Sequence, residues 1–189
     1  MRLLYHYLFT AVWIAFLVYW QVMALNAKVT KQMEPFASRA RRVLMFGAGI
    51  VLLSFRLPAA WLNLRLWPQD RLTFWAGFAI TLAGLLFSVW ARVHLGRNWS
   101  RSVTIKEDHE LIVTGPYGLV RHPIYSGLFL AFLGTVLAIA EVRAVLGFAL
   151  IVIPLWIKLR LEEKWMHAQF GPAYQAYSER VAALVPFVL

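Results

Sequence analysis

Between His109 and Gly127 the chain reads HELIVTGPYGLVRHPIYSG, the one stretch dense in polar and turn-forming residues in a sequence that is otherwise mostly hydrocarbon. Arg121 and His122 set a guanidinium beside an imidazole, and Tyr117 and Tyr125 add phenols on either side. Gly115-Pro116 signals a turn. Pro123 pushes His122 out of the helical region and suits the first position of a new helix. From Ile124 to Ala140 everything is uncharged and apolar. A small polar knot therefore faces the mouth of a membrane helix, where a water-soluble and a lipid-soluble reactant could meet. A second polar feature, Glu162-Glu163, follows among Lys158, Arg160 and Lys164. A carboxylate near the membrane end of a helix is costly unless paired or solvated, which makes Glu162 a functional candidate. An ion pair to Lys158 or Arg160 at the helix exit is the competing account. His109 and His122, without cysteines or a close carboxylate pair, make a poor metal site. Tyr117 and Tyr125 also have a simpler reading, as aromatics of a membrane interface.

The elements that must position these groups follow from composition. Of 189 residues, 61% are hydrophobic, against roughly half in a soluble domain, and mean hydropathy is +0.63. Nine tryptophans fit a chain with many residues at membrane–water interfaces. The absence of cysteine excludes disulfides, thiolate metal sites and a cysteine nucleophile. The net charge of +10 sits in short loops between apolar runs, which points to anionic lipid and topology control rather than to nucleic acid.

The pattern predicts an all-α integral membrane protein with one domain over 1–189 and five transmembrane helices, at about 3–25, 43–62, 72–91, 123–140 and 144–160. The first run is too long and lacks the cleavage site of a signal peptide. The second is the weakest, interrupted by Arg56 and Pro58; Arg56 reads as an interfacial anchor that snorkels to the nearer surface. Gly77 and Gly84 share a helical face, as do Gly127, Ala131, Gly134 and Ala138; small residues there let helices approach closely. Only Glu141-Val142-Arg143 separates the last two runs, which implies a helical hairpin. Pro154 predicts a kink, and the helix should continue past Lys158 until Gly171-Pro172 stops it. The tail from Ala173 reads as a short amphipathic helix ending at Pro186. The segments 96–123 and 158–189 supply the loop and tail of the site. Asn98-Trp99-Ser100 matches a glycosylation acceptor but falls on the inner side of the expected topology.

Five spans put the termini on opposite sides. Loops 26–42 and 92–121 and the region from Lys158 onward hold fourteen of the 19 lysines and arginines, which assigns them to the cytoplasm and the N-terminus to the outside. The polar knot, the double glutamate and the C-terminus then share the cytoplasmic face.

HELI, GPY and RHPIY with a glycine two residues on, then Glu162-Glu163, Phe170-Gly171, Tyr174, Tyr177 and Pro186, resemble the signature of the membrane-embedded isoprenylcysteine carboxyl methyltransferase and phospholipid methyltransferase group. The resemblance covers about the C-terminal half. Membrane sterol reductases share RHPxY, but the double glutamate shortly before Phe-Gly sharpens the match. It implies S-adenosyl-L-methionine as cofactor in a cytoplasmic pocket. His109, Leu111 and Ile112 would contact it largely through backbone, and Tyr117, His122, Pro123, Ile124, Tyr125 and Glu162 would close around it. Such a ligand needs acceptors for its ammonium, donors for its carboxylate and flat apolar surface for its base; Glu162, Arg121, His122, Tyr117 and Tyr125 supply those types. The resemblance also implies substrate near Lys158, with Arg160 as neighbour. Lys158 stands where eukaryotic relatives carry arginine, which is not equivalent for gripping a carboxylate. Ser102 stands where some relatives use a larger amide.

Methyl transfer from a sulfonium needs alignment and dehydration more than an acid or base, and proximity supplies up to about 7–11 kcal/mol. Arg121 and Glu163 are the catalytic candidates; with an amine acceptor, His122 or Glu163 would be the first suspects as base. The expected acceptor is lipophilic and enters from the bilayer, nearest to an isoprenylcysteine carboxylate, with a phospholipid amine second. Anionic lipid is an expected partner; nucleic acid and metal are not. An NADPH-dependent sterol-type reductase and a non-catalytic membrane scaffold are the alternatives.

Overall fold

The computed structural model describes residues 2–25, 36–96, 111–186 and 188, without the side chains of residues 2–6 and Phe36. Among these the secondary structure is helical: α1 (Arg2–Ala24), α2 (Phe36–Ser54), α3 (Arg71–Leu95), α4 (Pro123–Ile139), α5 (Val142–Phe170) and α6 (Pro172–Ser178), with single 3-10 turns at Ala60–Asn63 and Gly115–Gly118. Apolar runs fold this way because a helix satisfies every backbone donor and acceptor within itself. Three helices are long and apolar enough to cross a membrane: α1 over Tyr7–Ala24, α3 and α5. At 17 residues α4 is shorter, and α2 carries Arg39, Arg41 and Arg42 near its start.

The second expected run is displaced. Helix α2 begins at Phe36 and stops at Ser54, not near residue 62. Pro58 forbids helical geometry at Leu57, and the carbonyls of Leu52, Leu53 and Phe55 are instead capped by the buried Arg143 side chain at 2.6, 3.0 and 3.3 Å. Helix α5 runs unbroken through Pro154 and ends where expected, on Gly171 at φ +49°. That left-handed turn favours glycine. The tail is corrected too: its helix ends at Ser178, and residues beyond it run as turns and extended backbone.

Helices α3 and α4 pack backbone to backbone. A Cβ placed on Gly77 would lie 2.6 Å from the Gly134 carbonyl oxygen, and one on Gly84 would lie 2.4 Å from that of Gly127. The small residues form the seam their spacing implies. Polar groups inside it are all paired: Ser88 donates to the Gly84 and Ile124 carbonyls, Thr81 to that of Ala131, and Trp13 of α1 reaches Thr135 at 3.2 Å. Helix α1 adds Trp13 stacked on Phe132, at 4.5 Å between ring centroids.

Helix α2 lies against α5 at another close approach, where a Cβ on Gly49 would meet both the Gly147 carbonyl oxygen and Ile151 at 2.7 Å. Arg143 meets Leu52 and Leu53, so residue numbers fall along α2 as they rise along α5 and the two run antiparallel.

At the end of the bundle holding the α4–α5 turn, Glu141 is 4% exposed and pairs with Arg143 at 2.7 Å and with Arg56. Arg56 is thus an ion-pair partner as well as a surface residue. Burial disfavours the Glu141 carboxylate, but hydrogen bonds from Arg56 and Arg143 outweigh it and hold its pKa below the ordinary 4.5. A depressed carboxylate contributes stability that is complete above its unfolded value and is lost as pH falls through the folded one. Glu141→Gln is therefore expected to lower the thermal midpoint at neutral pH. The difference from the parent protein should close as the pH drops below about 4. Thermal unfolding in detergent across that range checks it.

Candidate active site

At the opposite end, the start of α4 meets the last turns of α5. Backbone positions the corner first. Arg121 and His122 donate their N–H groups to the carbonyls of Ala182 and Ala183 at 2.8 and 3.0 Å, and Ser126 Oγ donates to Leu184 at 2.6 Å. The tail beyond α6 thus lies beneath the corner like an added strand. His122 stands outside the helical region at φ −124° and ψ 61°, consistent with the following proline, and Pro123 opens α4.

Glu163 is the hub. Its Oε1 accepts from Arg121 Nε at 3.1 Å, His122 Nε2 at 2.5 Å and the Tyr174 hydroxyl at 2.7 Å, while Oε2 accepts from Arg121 Nη2 at 3.0 Å. The remaining Arg121 nitrogen donates to the carbonyls of Ser178 and Val181 at 2.9 and 2.5 Å. Burial disfavours the guanidinium, yet the Glu163 hydrogen bonds outweigh it and raise the Arg121 pKa. Burial, then the bond to Glu163, pushes the Tyr174 phenol well up. Tyr177 is pushed up to about 12, chiefly by burial, and donates to the Tyr117 carbonyl at 2.6 Å. Arg121, Tyr174 and Tyr177 therefore stay in their donating forms near neutral pH.

Glu162 is held differently. Its Oε1 accepts from the Tyr125 hydroxyl at 2.7 Å and lies 3.7 Å from Lys158 Nζ, while Oε2 is 3.8 Å from His122 Nδ1. The Lys158 ammonium also sits 5.8 Å from the centre of the Tyr125 ring. A quarter of the Glu162 side chain remains exposed, against 16% for Glu163. Glu162 therefore presents a fixed carboxylate with an open edge, whereas Glu163 is occupied on both oxygens. The ion pair to Lys158, the competing account of Glu162, is present, and a quarter of the carboxylate side chain stays exposed beside it.

The structure brings together Tyr117, Arg121, His122, Pro123, Tyr125, Lys158, Glu162 and Glu163. Ile124 contributes its carbonyl to Ser88 of the α3–α4 seam. Leu111 and Ile112 are half-buried in the segment leading to Tyr117, and His94 Nε2 pins that segment at Thr114, 2.9 Å away. Arg160 is exposed, about 200° around α5 from Lys158, and takes no part in the cluster. His109, Ser102 and the Asn98-Trp99-Ser100 acceptor lie outside the described residues. Among the described residues no group of three or more metal-ligating side chains gathers. Tyr174 and the tail carbonyls were not among the expected site residues. Tyr174, three residues beyond Gly171, was visible only as part of the motif.

The sequence profile of the phospholipid methyltransferase family matches residues 72–173, more than half the chain. The chain belongs to the phospholipid methyltransferase family. Its relatives include protein-S-isoprenylcysteine O-methyltransferases B and A of Arabidopsis thaliana, each 30% identical. The B match covers 59% of this chain and 58% of that protein; the A match covers 65% and 66%. A methanethiol S-methyltransferase of Crocosphaera subtropica is also 30% identical, over 67% of this chain and 53% of that protein. The matched stretch thus spans less than two thirds of these relatives. Among solved structures, a eukaryotic intramembrane Ras methyltransferase, isoprenylcysteine carboxyl methyltransferase, superposes with a TM-score of 0.52 at 21% identity. That match covers 80% of this chain and 52% of that one, and it establishes a shared membrane methyltransferase fold. The corner and the double glutamate both fall within the family match.

Proposed function

We propose that this protein transfers a methyl group from S-adenosyl-L-methionine to a lipophilic acceptor that enters from the bilayer, an isoprenylcysteine-type carboxylate being the acceptor class. The observation that carries the reading is the open Glu162 carboxylate, fixed by Tyr125 and flanked by His122 and Lys158 at the mouth of an apolar bundle. Those residues fit the methyl donor: a rigid, partly exposed carboxylate suits its ammonium, and the Tyr117 and Tyr125 rings supply flat apolar surface. When bound, the donor supplies an electrophilic methyl on a sulfonium. Leu111, Ile112, Tyr117, His122, Pro123, Ile124 and Tyr125 enclose it and exclude water, and His109 belongs to the same proposal. Lys158 orients the acceptor carboxylate, which already carries its lone pair and needs no base. Arg121 and Glu163, saturated by each other, hold the corner in place and take no proton. In this reading five helices cross the membrane, α4 and α5 form the hairpin, and the site opens to the cytoplasm with the N-terminus outside. The methanethiol relative makes a small thiolate a second acceptor class, compatible with the same base-free geometry.

The test is calorimetric titration of the purified protein with S-adenosylhomocysteine and, separately, with NADPH. The first should bind and the second should not; the reverse would make the protein a reductase, and binding of neither would leave a scaffold. Glu162→Gln should weaken S-adenosylhomocysteine roughly tenfold or more while leaving the thermal midpoint near that of the parent. Unchanged affinity would remove Glu162 from the donor site.

A further inference from the structure

The segment that carries Leu111, Ile112 and Tyr117 is braced by a residue from outside the motif. It turns at Gly115, which stands at φ +59°, and the Tyr117 N–H closes the turn on the Thr114 carbonyl at 3.2 Å. Such a bond shapes the turn without fixing where it lies against the bundle. Glycine also leaves it wide backbone freedom, so contacts from other elements must select one placement. From α6, the Tyr177 hydroxyl reaches the Tyr117 carbonyl at 2.6 Å. From the last turn of α3, His94 touches three residues of the segment. Its Nε2 lies 2.9 Å from Thr114 Oγ1. Its ring covers Gly115 so closely that a Cβ there would lie 2.7 Å from Cε1. The same ring lies within 26° of parallel to Tyr117, 6.4 Å away between centroids. His94 can act as a brace because its own end of α3 is fixed. Arg92, two residues earlier and 1% exposed, donates to the Met23 carbonyl of α1 and to the Gly96 carbonyl, each at 2.7 Å. Helix α1, the end of α3 and the turn are therefore joined in series.

We infer that His94 is a positioning residue of the donor site: from the end of α3 it fixes the turn at 114–117, and through it the Leu111-Ile112 backbone and the Tyr117 ring that enclose the methyl donor. This rests on the methyl-transfer reading and deepens it. His94 touches neither donor nor acceptor in this role; it selects the one placement of the turn that binds. A hydroxyl both donates and accepts, so the bond to Thr114 forms with either imidazole tautomer. Because His94 and Thr114 are both exposed, their bond contributes little to the core and much to the local order of the segment.

The full chain in detergent is titrated with S-adenosylhomocysteine by calorimetry, and the thermal midpoint of the unliganded protein is measured alongside. His94→Ala should raise the Kd roughly fivefold, the effect of one lost hydrogen bond, while the midpoint stays within about 2 °C of the parent. His94→Gln returns an amide near the position of Nε2 and should recover part of the loss. Thr114→Val removes the other partner and should also weaken binding. The His94→Ala, Thr114→Val double variant should bind no more weakly than His94→Ala alone, because both changes remove the same bond. Val93→Ala, at the exposed neighbouring position on α3, should bind like the parent. Parent affinity in either His94→Ala or Thr114→Val overturns the inference, as do losses that add in the double variant. A His94→Gln variant no better than alanine overturns it too. So does an equal loss in Val93→Ala, or a midpoint that falls along with the affinity, since either would mark a general structural role. A parent protein that binds no S-adenosylhomocysteine overturns the underlying methyl-transfer reading instead.

Discussion

Glu163→Ala is expected to abolish S-adenosylhomocysteine binding and to cost about 3–5 kcal/mol of stability, the range for breaking a buried ion pair from one side. The magnitude follows from what is left behind. Arg121 and Glu163 are 12% and 16% exposed at their side chains, and the variant would strand a guanidinium, an imidazole N–H and a phenol that all donate to one carboxylate. The Arg121 corner would then swing free of α5, and His122 would lose the contact that aims its other nitrogen at Glu162. Replacing Arg121 and Glu163 together with leucine separates position from stability. That double variant should recover much of the thermal midpoint, because no charge is stranded, but should not recover ligand binding. Recovery of binding in the double variant would show that the hub is dispensable to the site.

The second large effect belongs to the seam between α3 and α4. Gly84→Leu should leave no monodisperse protein on size-exclusion chromatography, and even Gly84→Ala should cost about 1–3 kcal/mol by forcing packed helices apart. The atoms a Cβ would meet are backbone: the Gly127 carbonyl oxygen at 2.4 Å and the Ala131 nitrogen at 2.5 Å. Neither can turn aside as the end of a flexible side chain would. Gly47 of α2 has nothing within 4 Å of the same position, so Gly47→Ala should be neutral or stabilise by up to about 1 kcal/mol through helix propensity. The pair of variants, compared by thermal unfolding, distinguishes a steric seam from a general intolerance of added bulk.

How much of this was legible in the sequence depended on how local the deciding interaction is. The turn at Gly115-Pro116, the helix opened by Pro123 and the glycine that ends α5 depend on backbone rules spanning a few residues, and all three appear where expected. The glycine seam was legible because the spacing of small residues along one helix already states that something approaches it. Arg56 was only half legible: its partner Glu141 lies 85 residues away, and no periodicity links the two. Hydropathy likewise overran the end of α2, since the residues after Ser54 are nearly as apolar as those before it. What stops the helix is a proline and an arginine from α5. The tail was read as helical to Pro186 because its composition permits it. Its carbonyls are instead taken by Arg121, His122 and Ser126, a competition visible only once α4 and α5 are side by side. Residue types pointed to Glu162, but its open edge and the saturation of Glu163 are matters of distance.

Helix α5 carries Arg143 at one end and the two glutamates near the other, on one unbroken rod of 29 residues. Arg143 is tied to α2 and Glu163 to the Arg-His-Pro corner, so the separation of the two charged clusters is set by helical rise, about 30 Å over the twenty residues from one to the other. That is also the hydrocarbon thickness of an ordinary bilayer, about 30 Å. The rod therefore works as a gauge of its surroundings. In the proposed topology, lipids with shorter acyl chains make it tilt or pull headgroups inward to keep both clusters wet, and the Arg-His-Pro corner moves with it. Under the proposed methyl-transfer reading, acyl-chain length in the host membrane thereby becomes a variable that the site feels.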